Sequence, residues 1–246
     1  MALEEGYADE GNVIIITSED DADDTIKPRL EALSANMGRI FTLDGYTKKG
    51  SKSQERAFGL SNDLDALENM IEEISGASLV IIDPVNAYLD DVDSHKNADV
   101  RNLLTPVSKF AAEHDTSIIM ISHPPKTKNA PAVHKFSGSM AFVAAARAAF
   151  LIMADPEDRQ RRLILPIKHN SGNDKNGLSF KIEKVTTDSG IETSRVVWDS
   201  DPVSESADYY LSQDQSIKRP SKTDEAECWL KEHLEEGPQL ARDLFY

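Results

Sequence analysis

The amino-acid sequence predicts an α/β fold: a mostly parallel β-sheet flanked by helices, with an antiparallel extension and a small C-terminal helical segment. Short apolar runs rich in β-branched residues alternate with helical patterns over roughly the first 155 of the 246 residues. Runs that are apolar at consecutive positions are typical of strands buried on both faces. Strands that alternate with helices form βαβ units, which bring the strands together in parallel.

The first strand is predicted at 13–17, where the sequence reads Val-Ile-Ile-Ile-Thr. Similar apolar runs predict four further strands, at 39–43, 79–82, 117–121 and about 150–153. Helices are predicted at 26–35, 62–76, 100–111 and 140–149, and the polar stretch 44–61 is expected to be a loop. Asn62 is the expected cap of the second helix and Gly76 its expected end.

The pattern changes beyond residue 155. Three runs separated by turn residues, at 162–167, 178–185 and 192–198, predict consecutive antiparallel strands. The stretch 199–220 is rich in Ser, Asp and Gln and is interpreted as a linker. The expected organisation is therefore a core over 1–198, this linker, and a helical tail over 221–246.

Composition narrows the class of protein. The chain carries 27 Lys and Arg against 43 Asp and Glu, a net charge of −16, which argues against nucleic-acid binding by bulk charge but leaves room for a local basic surface. Cys228 is the single cysteine, which excludes a disulfide framework and a zinc site built on cysteine pairs. The chain has neither an apolar stretch of membrane-spanning length nor a signal-peptide pattern at its start, so a cytoplasmic protein is expected, with no membrane partner.

Polar side chains follow the predicted strands where each one ends. These are Glu19 after the first, Asp83 after the third, Ser122 and His123 after the fourth, and Lys168 and Asn170 after a later strand. Parallel sheets bind ligands beyond the carboxyl ends of their strands, so these groups are expected to share one crevice. Carboxylates that hold Mg²⁺ or polarise a water, with Lys and His to contact phosphate oxygens, suit phosphoryl chemistry.

Each residue also has a simpler explanation. Asp83 before a proline is a common turn or cap residue. Glu19 lies in an acidic run that suits a solvated loop, and His123 before two prolines suits a structural turn. A lysine such as Lys168 at a strand end is often only solvated. The functional interpretation therefore depends on their shared position at strand ends.

Several motifs in order along 11–198 resemble one family. Residues 11–33, beginning Gly-Asn-Val-Ile-Ile-Ile-Thr-Ser-Glu-Asp, resemble the second-strand region of RecA-like ATPases related to hexameric replicative helicases, and above all phage- and plasmid-type AAA family ATPases such as RepA-like helicases. Ser-Leu-Val-Ile-Ile-Asp-Pro at 78–84 looks like their Walker B strand, and 118–126 like their sensor segment. The stretches 137–147 and 165–170 resemble the two that follow.

The resemblance implies a role for each strand-end residue. Glu19 would activate the attacking water, Asp83 would hold the Mg²⁺ of Mg-ATP through water, and His123 would sense the γ-phosphate. Lys168 would reach the nucleotide of a neighbouring subunit as a finger, which implies a homo-oligomeric ring, possibly a hexamer. The same resemblance assigns Ser122 and Asn170 to nucleotide binding.

The resemblance further implies that Ser137, Gly138 and Ser139 form a loop facing DNA. A serine-capped helix start is the alternative interpretation of that loop.

One family motif is missing. The chain contains no Gly-Lys dipeptide, so the phosphate-binding Walker A loop, Gly-x-x-x-x-Gly-Lys-[Ser/Thr], does not occur. We therefore expect a truncated family member that lacks its first strand and phosphate loop and ends inside a winged-helix-like tail. Binding of ATP and Mg²⁺ by this chain is expected to be very weak.

Three hypotheses for function follow. The first is a RecA-like NTPase that acts in DNA replication or as a helicase. The second is a non-catalytic oligomerisation or nucleic-acid-binding module that keeps the core without the phosphate loop. The third, less favoured, is a metal-dependent nuclease that uses Glu19 and Asp83.

Overall fold

A computed structural model gives the fold. It describes residues 8–43, 45–46, 56–90, 92, 96–123, 140–170 and 176–216. The predicted DNA-facing loop Ser137, Gly138 and Ser139, the predicted tail over 221–246, and Cys228 lie outside the described residues. None of the helices in the described ranges is long and apolar enough to cross a membrane.

The described ranges contain ten strands: β1 (Val13–Thr17), β2 (Ile40–Thr42), β3 (Gly45–Tyr46), β4 (Arg56–Ala57), β5 (Leu79–Asp83), β6 (Ser117–Met120), β7 (Ala148–Ala154), β8 (Arg161–His169), β9 (Leu178–Thr186) and β10 (Glu192–Trp198). They also contain five α-helices: α1 (Lys27–Ala32), α2 (Leu64–Glu73), α3 (Asn97–Glu113), α4 (Met140–Ala145) and α5 (Ala207–Ser216). A π-helical turn at Ala22–Ile26 leads directly into α1.

The first sheet is wholly parallel, with the strand order β2-β1-β5-β6. Ile14 and Ile16 of β1 are fully buried, as are Val80 and Ile82 of β5. Their side chains form the main core with residues of α2 and α3, among them Leu67, Ile71, Leu103, Val107 and Phe110. The predicted α/β class, with a mostly parallel sheet flanked by helices, is confirmed.

The second sheet is antiparallel, with the order β10-β9-β8-β7, and it is the predicted antiparallel extension. Leu151, Leu163 and Leu165 line one of its faces. That face is covered by apolar residues that come after β10, namely Val203, Ala207 and Tyr210. The sheet therefore has its own small core.

The structure departs from the linker interpretation over residues 199–216. Val203 pairs with Gly177 through two backbone hydrogen bonds, and α5 packs against β8. Composition suggested a linker because Ser, Asp and Gln dominate the segment. Within the helix, Ala207 and Tyr210 are three residues apart and lie on one face, and this helical spacing is the local signal that composition obscures.

Two helices also begin at residues other than those expected. The Asp21 carboxylate accepts hydrogen bonds from the backbone N–H groups of Asp23 and Asp24, both at 2.9 Å, so the first helical segment begins before residue 26. Asp63, not Asn62, directly precedes α2. Gly76 follows α2 with a φ of +108°, a backbone conformation that favours glycine, as the sequence predicted.

Candidate functional site

The candidate site lies at the carboxyl ends of three neighbouring parallel strands. Thr17, the last residue of β1, stands opposite Asp83, the last residue of β5. Glu19 follows two residues after β1, and His123 three residues after β6. Since neighbouring parallel strands end at the same edge of a sheet, the three side chains meet there.

Backbone hydrogen bonds extend past the strand ends and hold this edge in place. The N–H of Ser18 donates to the carbonyl oxygen of Asp83 at 3.2 Å. The N–H of Ile121 donates to the carbonyl oxygen of Ile82 at 2.9 Å, and the N–H of Val85 to that of Ile121 at 2.7 Å. The candidate side chains are therefore carried by backbone that is tied to its neighbours, not by free loops.

The His123 imidazole stands between the two carboxylates. Its Nε2 lies 3.3 Å from Glu19 Oε2 and 3.6 Å from Asp83 Oδ1. The side chains of Glu19 and His123 are just over half exposed, whereas that of Asp83 is 31% exposed. A protonated imidazole at these distances is an ion-pair partner for both acids.

Asp83 is the most constrained of the three. Its Oδ1 is shielded from solvent and accepts no hydrogen bond from the described residues. Burial raises the pKa of the Asp83 carboxyl above its usual 3.8; His123 opposes this shift, and the charges of Glu19 and Asp20 add to it. A cation beside Oδ1 would stabilise the ionised carboxylate, because it would supply the partner that this oxygen lacks.

Two neighbours that the sequence analysis did not single out shape the site. The Thr17 hydroxyl oxygen accepts hydrogen bonds from the backbone N–H groups of Glu19, at 3.3 Å, and Asp20, at 3.4 Å. Arg29 of α1 donates to Asp20 Oδ2 at 2.8 Å and so pairs with Asp20. A threonine that ends a strand directly before an acidic turn is the sequence signal that could have identified the first of these contacts.

Lys168 and Asn170 make their contacts elsewhere. Lys168 Nζ donates to the carbonyl oxygens of Val143, at 3.1 Å, and Ala144, at 2.8 Å, at the end of α4. The backbone N–H of Asn170 donates to the carbonyl oxygen of Arg147 at 3.1 Å. Both residues thus tie the end of β8 to the connection between α4 and β7, and their roles toward a nucleotide stay predictions.

Ser122 is half-buried next to His123, and its nucleotide-binding role also stays a prediction. A cleft elsewhere on the surface, beside α3, is lined by Leu60, Ser61, Leu103 and Pro106 among others. None of the predicted site residues that the structure describes lines it. The chemistry-bearing residues therefore belong to the edge of the sheet and not to this cleft.

Comparison with known proteins identifies the family. Residues 4–129, just over half of the chain, match the family described as AAA domain. The chain belongs to this family. The match includes all three residues that meet at the edge of the parallel sheet, and it agrees with a RecA-like P-loop NTPase fold.

Among solved structures, this AAA domain protein is similar to the crystal structure of the RadB recombinase. The identity is 14% and the TM-score 0.46, over 76% of this chain and 79% of that one. No curated protein matches the chain.

The donor set of this AAA domain protein fits Mg²⁺, the ion that RecA-like ATPases use with ATP. Carboxylate oxygens are the ligands that Mg²⁺ prefers, and Asp83 Oδ1 is a shielded oxygen to which no described residue donates a hydrogen bond. The fit to a triphosphate is partial, because the sequence contains no Gly-Lys dipeptide to supply a phosphate loop.

Proposed function

We propose that this chain is a RecA-like NTPase that acts in DNA replication or as a helicase, through ATP binding and hydrolysis at the edge of its parallel sheet. The observation that carries the proposal is the meeting of Glu19, Asp83 and His123 at the ends of β1, β5 and β6. A carboxylate that can orient water, a carboxylate that can hold a metal and an imidazole that can contact phosphate suit hydrolysis of a phosphoanhydride.

Each residue has a separate task in this proposal. Glu19, which is exposed and able to accept a proton, orients the water that attacks the γ-phosphorus. Asp83 would hold Mg²⁺, which would supply positive charge opposite the phosphate oxygens. His123 donates a hydrogen bond from Nε2 to a γ-phosphate oxygen, which requires that it give up its contacts with the two carboxylates.

The proposal is tested by nucleotide titrations of the full chain. Because a phosphate loop is missing from the sequence, affinity for Mg-ATP is expected to be low, and NMR chemical shifts suit weak binding. Mg-ATP is expected to shift the amides of Ser18 and Ile121 and the imidazole of His123, whereas Mg-AMP, which has no γ-phosphate, should shift them less. Equal shifts with both nucleotides, or none, would overturn the proposal.

Hydrolysis gives a second test. Any ATP turnover above background should disappear in Glu19→Gln and persist in Glu183→Gln, which alters an exposed acid of β9. Turnover that survives Glu19→Gln would show that another group activates the water. Addition of single-stranded DNA at low and high salt, followed by fluorescence anisotropy, tests the replication or helicase assignment, because phosphate contacts weaken as salt rises.

We infer in addition that the chain forms a homo-oligomer, and an apolar surface that stands exposed in the described part of the chain supports this. The face of the second sheet opposite α5 carries Phe150, Ile152, Ile182 and Trp198, whose exposed fractions run from 42% to 62%. We call this the open face. Apolar side chains of this size that cluster on one face are typical of protein interfaces.

The assembly is tested by sedimentation velocity across a range of protein concentrations. Ile152→Lys, at the most exposed of the four positions on the open face, should shift the chain toward monomer. Ile191→Lys is the matched control, since Ile191 is 46% exposed in the turn between β9 and β10. A monomer at all concentrations, or equal effects of both variants, would contradict an oligomer built on this face.

A further inference from the structure

The three side chains at the edge of the parallel sheet have the spacing of ligands around a single metal ion. One ligand atom from each of Glu19, Asp83 and His123 lies within 4.8 Å of the other two. His123 Nε2 lies 3.3 Å from Glu19 Oε2 and 3.6 Å from Asp83 Oδ1. Tetrahedral bonds of about 2.0–2.1 Å place ligand atoms about 3.3 Å apart, so little movement separates this arrangement from a coordination sphere.

The types of ligand distinguish among metals. Mg²⁺ takes oxygen ligands and keeps most of its waters. An imidazole nitrogen together with two carboxylates suits Zn²⁺ or another first-row divalent ion such as Mn²⁺ or Fe²⁺. The nitrogen of His123, at the centre of the cluster, is therefore the feature that favours a transition ion.

The surroundings of Asp83 Oδ1 also favour a cation at this position. Asp83 Oδ1 is shielded from solvent, and among the described residues no donor reaches it within hydrogen-bond distance. An anionic oxygen in that position is costly unless it is paired, and the His123 Nε2 that faces it lies 3.6 Å away, too far for a hydrogen bond. A divalent ion between the two would satisfy Oδ1 and replace a long contact by two short bonds.

The backbone holds the ligands in position before any ion arrives. Thr17 and Asp83 are paired in register, and the Thr17 hydroxyl accepts the N–H of Glu19. The backbone of Ile121, two residues before His123, is hydrogen-bonded to the backbones of Ile82 and Val85. A site carried by three adjacent strands loses little conformational entropy when it binds a metal.

We propose that Glu19, Asp83 and His123 bind one Zn²⁺-type divalent ion directly, in the absence of nucleotide, with water completing the coordination. This site occupies the same edge of the sheet as the proposed nucleotide site. Binding without nucleotide is a separate property, so either proposal can fail while the other stands.

The test is isothermal titration calorimetry of the EDTA-treated full chain with Zn²⁺ and Mn²⁺, without nucleotide, and with millimolar Mg²⁺ as competitor. Cys228→Ser serves as the background so that the thiol does not compete. One Zn²⁺ per chain is expected, with little displacement by Mg²⁺. His123→Ala and Asp83→Asn should each weaken binding by at least about tenfold, a loss that even an outer-sphere partner can cause.

His114→Ala is the matched control, because His114 Nε2 lies 3.6 Å from Glu68 Oε1 in another histidine–carboxylate pair. Its Zn²⁺ affinity should be unchanged. If a variant unfolds, the parent protein provides the test. Addition of Zn²⁺ should then shift the ¹⁵N resonance of His123 Nε2. No stoichiometric binding, equal losses in His114→Ala and His123→Ala, or an unmoved His123 resonance would each overturn the proposal.

If Mg-ATP shifts the NMR signals more than Mg-AMP does but Zn²⁺ does not bind, the nucleotide proposal is supported and the metal proposal is overturned. Zn²⁺ binding without an effect of ATP would support only the metal site.

Discussion

Lys168 Nζ donates a hydrogen bond of 2.8 Å to the carbonyl oxygen of Ala144, in the last turn of α4. It also reaches the carbonyl oxygen of Val143 at 3.1 Å. Carbonyl groups in the last turn of a helix have no partner within the helix, and a cation there interacts favourably with the helix dipole. Lys168 therefore has a structural task in this chain, whatever it contributes to a neighbouring subunit.

Replacement of this lysine is expected to lower stability. Lys168→Met should reduce the free energy of unfolding by about 1 kcal/mol, because two carbonyl groups lose a charged donor that is partly exposed to solvent. Urea denaturation measures the change. Lys184→Met, at an exposed position of β9, should have almost no effect. Unchanged stability in Lys168→Met together with lost ATP turnover would favour the finger role instead.

Arg161 should be the most sensitive polar residue of the second sheet. Its guanidinium contacts Asp155 Oδ2 at 3.2 Å, Asp199 Oδ2 at 3.0 Å and Ser179 Oγ at 2.9 Å, and Asp155 is only 4% exposed. Arg161→Met leaves that carboxylate buried without its cation, so a loss of about 3 kcal/mol is expected.

The control for Arg161 is another arginine–carboxylate pair in the same sheet. Arg195 lies 3.4 Å from Glu183, and both side chains are about half exposed. Because water screens such pairs, Arg195→Met should cost less than about 1 kcal/mol in the same thermal or urea denaturation. Similar losses of stability in Arg161→Met and Arg195→Met would show that burial does not decide what these ion pairs contribute.

The stability that Asp199 contributes should depend on pH. The Ser179 hydroxyl and then the Arg161 guanidinium hold the pKa of the Asp199 carboxyl below its usual 3.8. Since the folded pKa is the lower one, the contribution is complete above pH 3.8 and is lost as the pH falls through the folded pKa. Asp199→Asn should therefore be less stable than the parent at neutral pH, with a difference that shrinks in acid.

Urea denaturation of both proteins from neutral pH down into the acid range checks this expectation. A stability difference that stays constant with pH would show that the charge of Asp199 does not contribute to the free energy of unfolding.

Asp63 is expected to matter for the start of α2. It is fully buried, and its Oδ2 accepts the backbone N–H of Gly59 at 2.9 Å. Asp63→Ala leaves that N–H buried without this acceptor, which should cost about 1–3 kcal/mol in chemical denaturation. Asp65→Ala, at an exposed position in the first turn of the same helix, is the control. Equal costs would assign the effect to helix charge and not to the buried hydrogen bond.

Much of the fold could be predicted from the sequence because its signals are local. The apolar run at 13–17 and the turn at Gly76 both correspond to elements of the structure. The segment after residue 198 was harder, because its order comes from contacts with distant residues. Val203, for example, pairs with Gly177, and neighbouring residues in the sequence do not indicate that contact.

Part of the candidate site could likewise be predicted from the sequence, and part could not. Parallel strands place their carboxyl ends at one edge, so the closeness of Glu19, Asp83 and His123 could be expected from the order of elements. The contacts of Lys168 could not, because β8 belongs to a separate antiparallel sheet. The hydrogen bonds of Lys168 lead to α4, a partner that no motif indicates.

The sequence by itself determined the α/β class, the parallel order of the first strands and the residues that end them, since periodicity and strand–helix alternation are properties of neighbouring residues. Only the tertiary structure decided that Asp83 Oδ1 is shielded and that no donor from the described ranges reaches it. It also decided that His123 faces two carboxylates and that residues 199–216 cover the second sheet. The reason is that burial and ligand spacing depend on which distant segments of the chain meet in the folded protein.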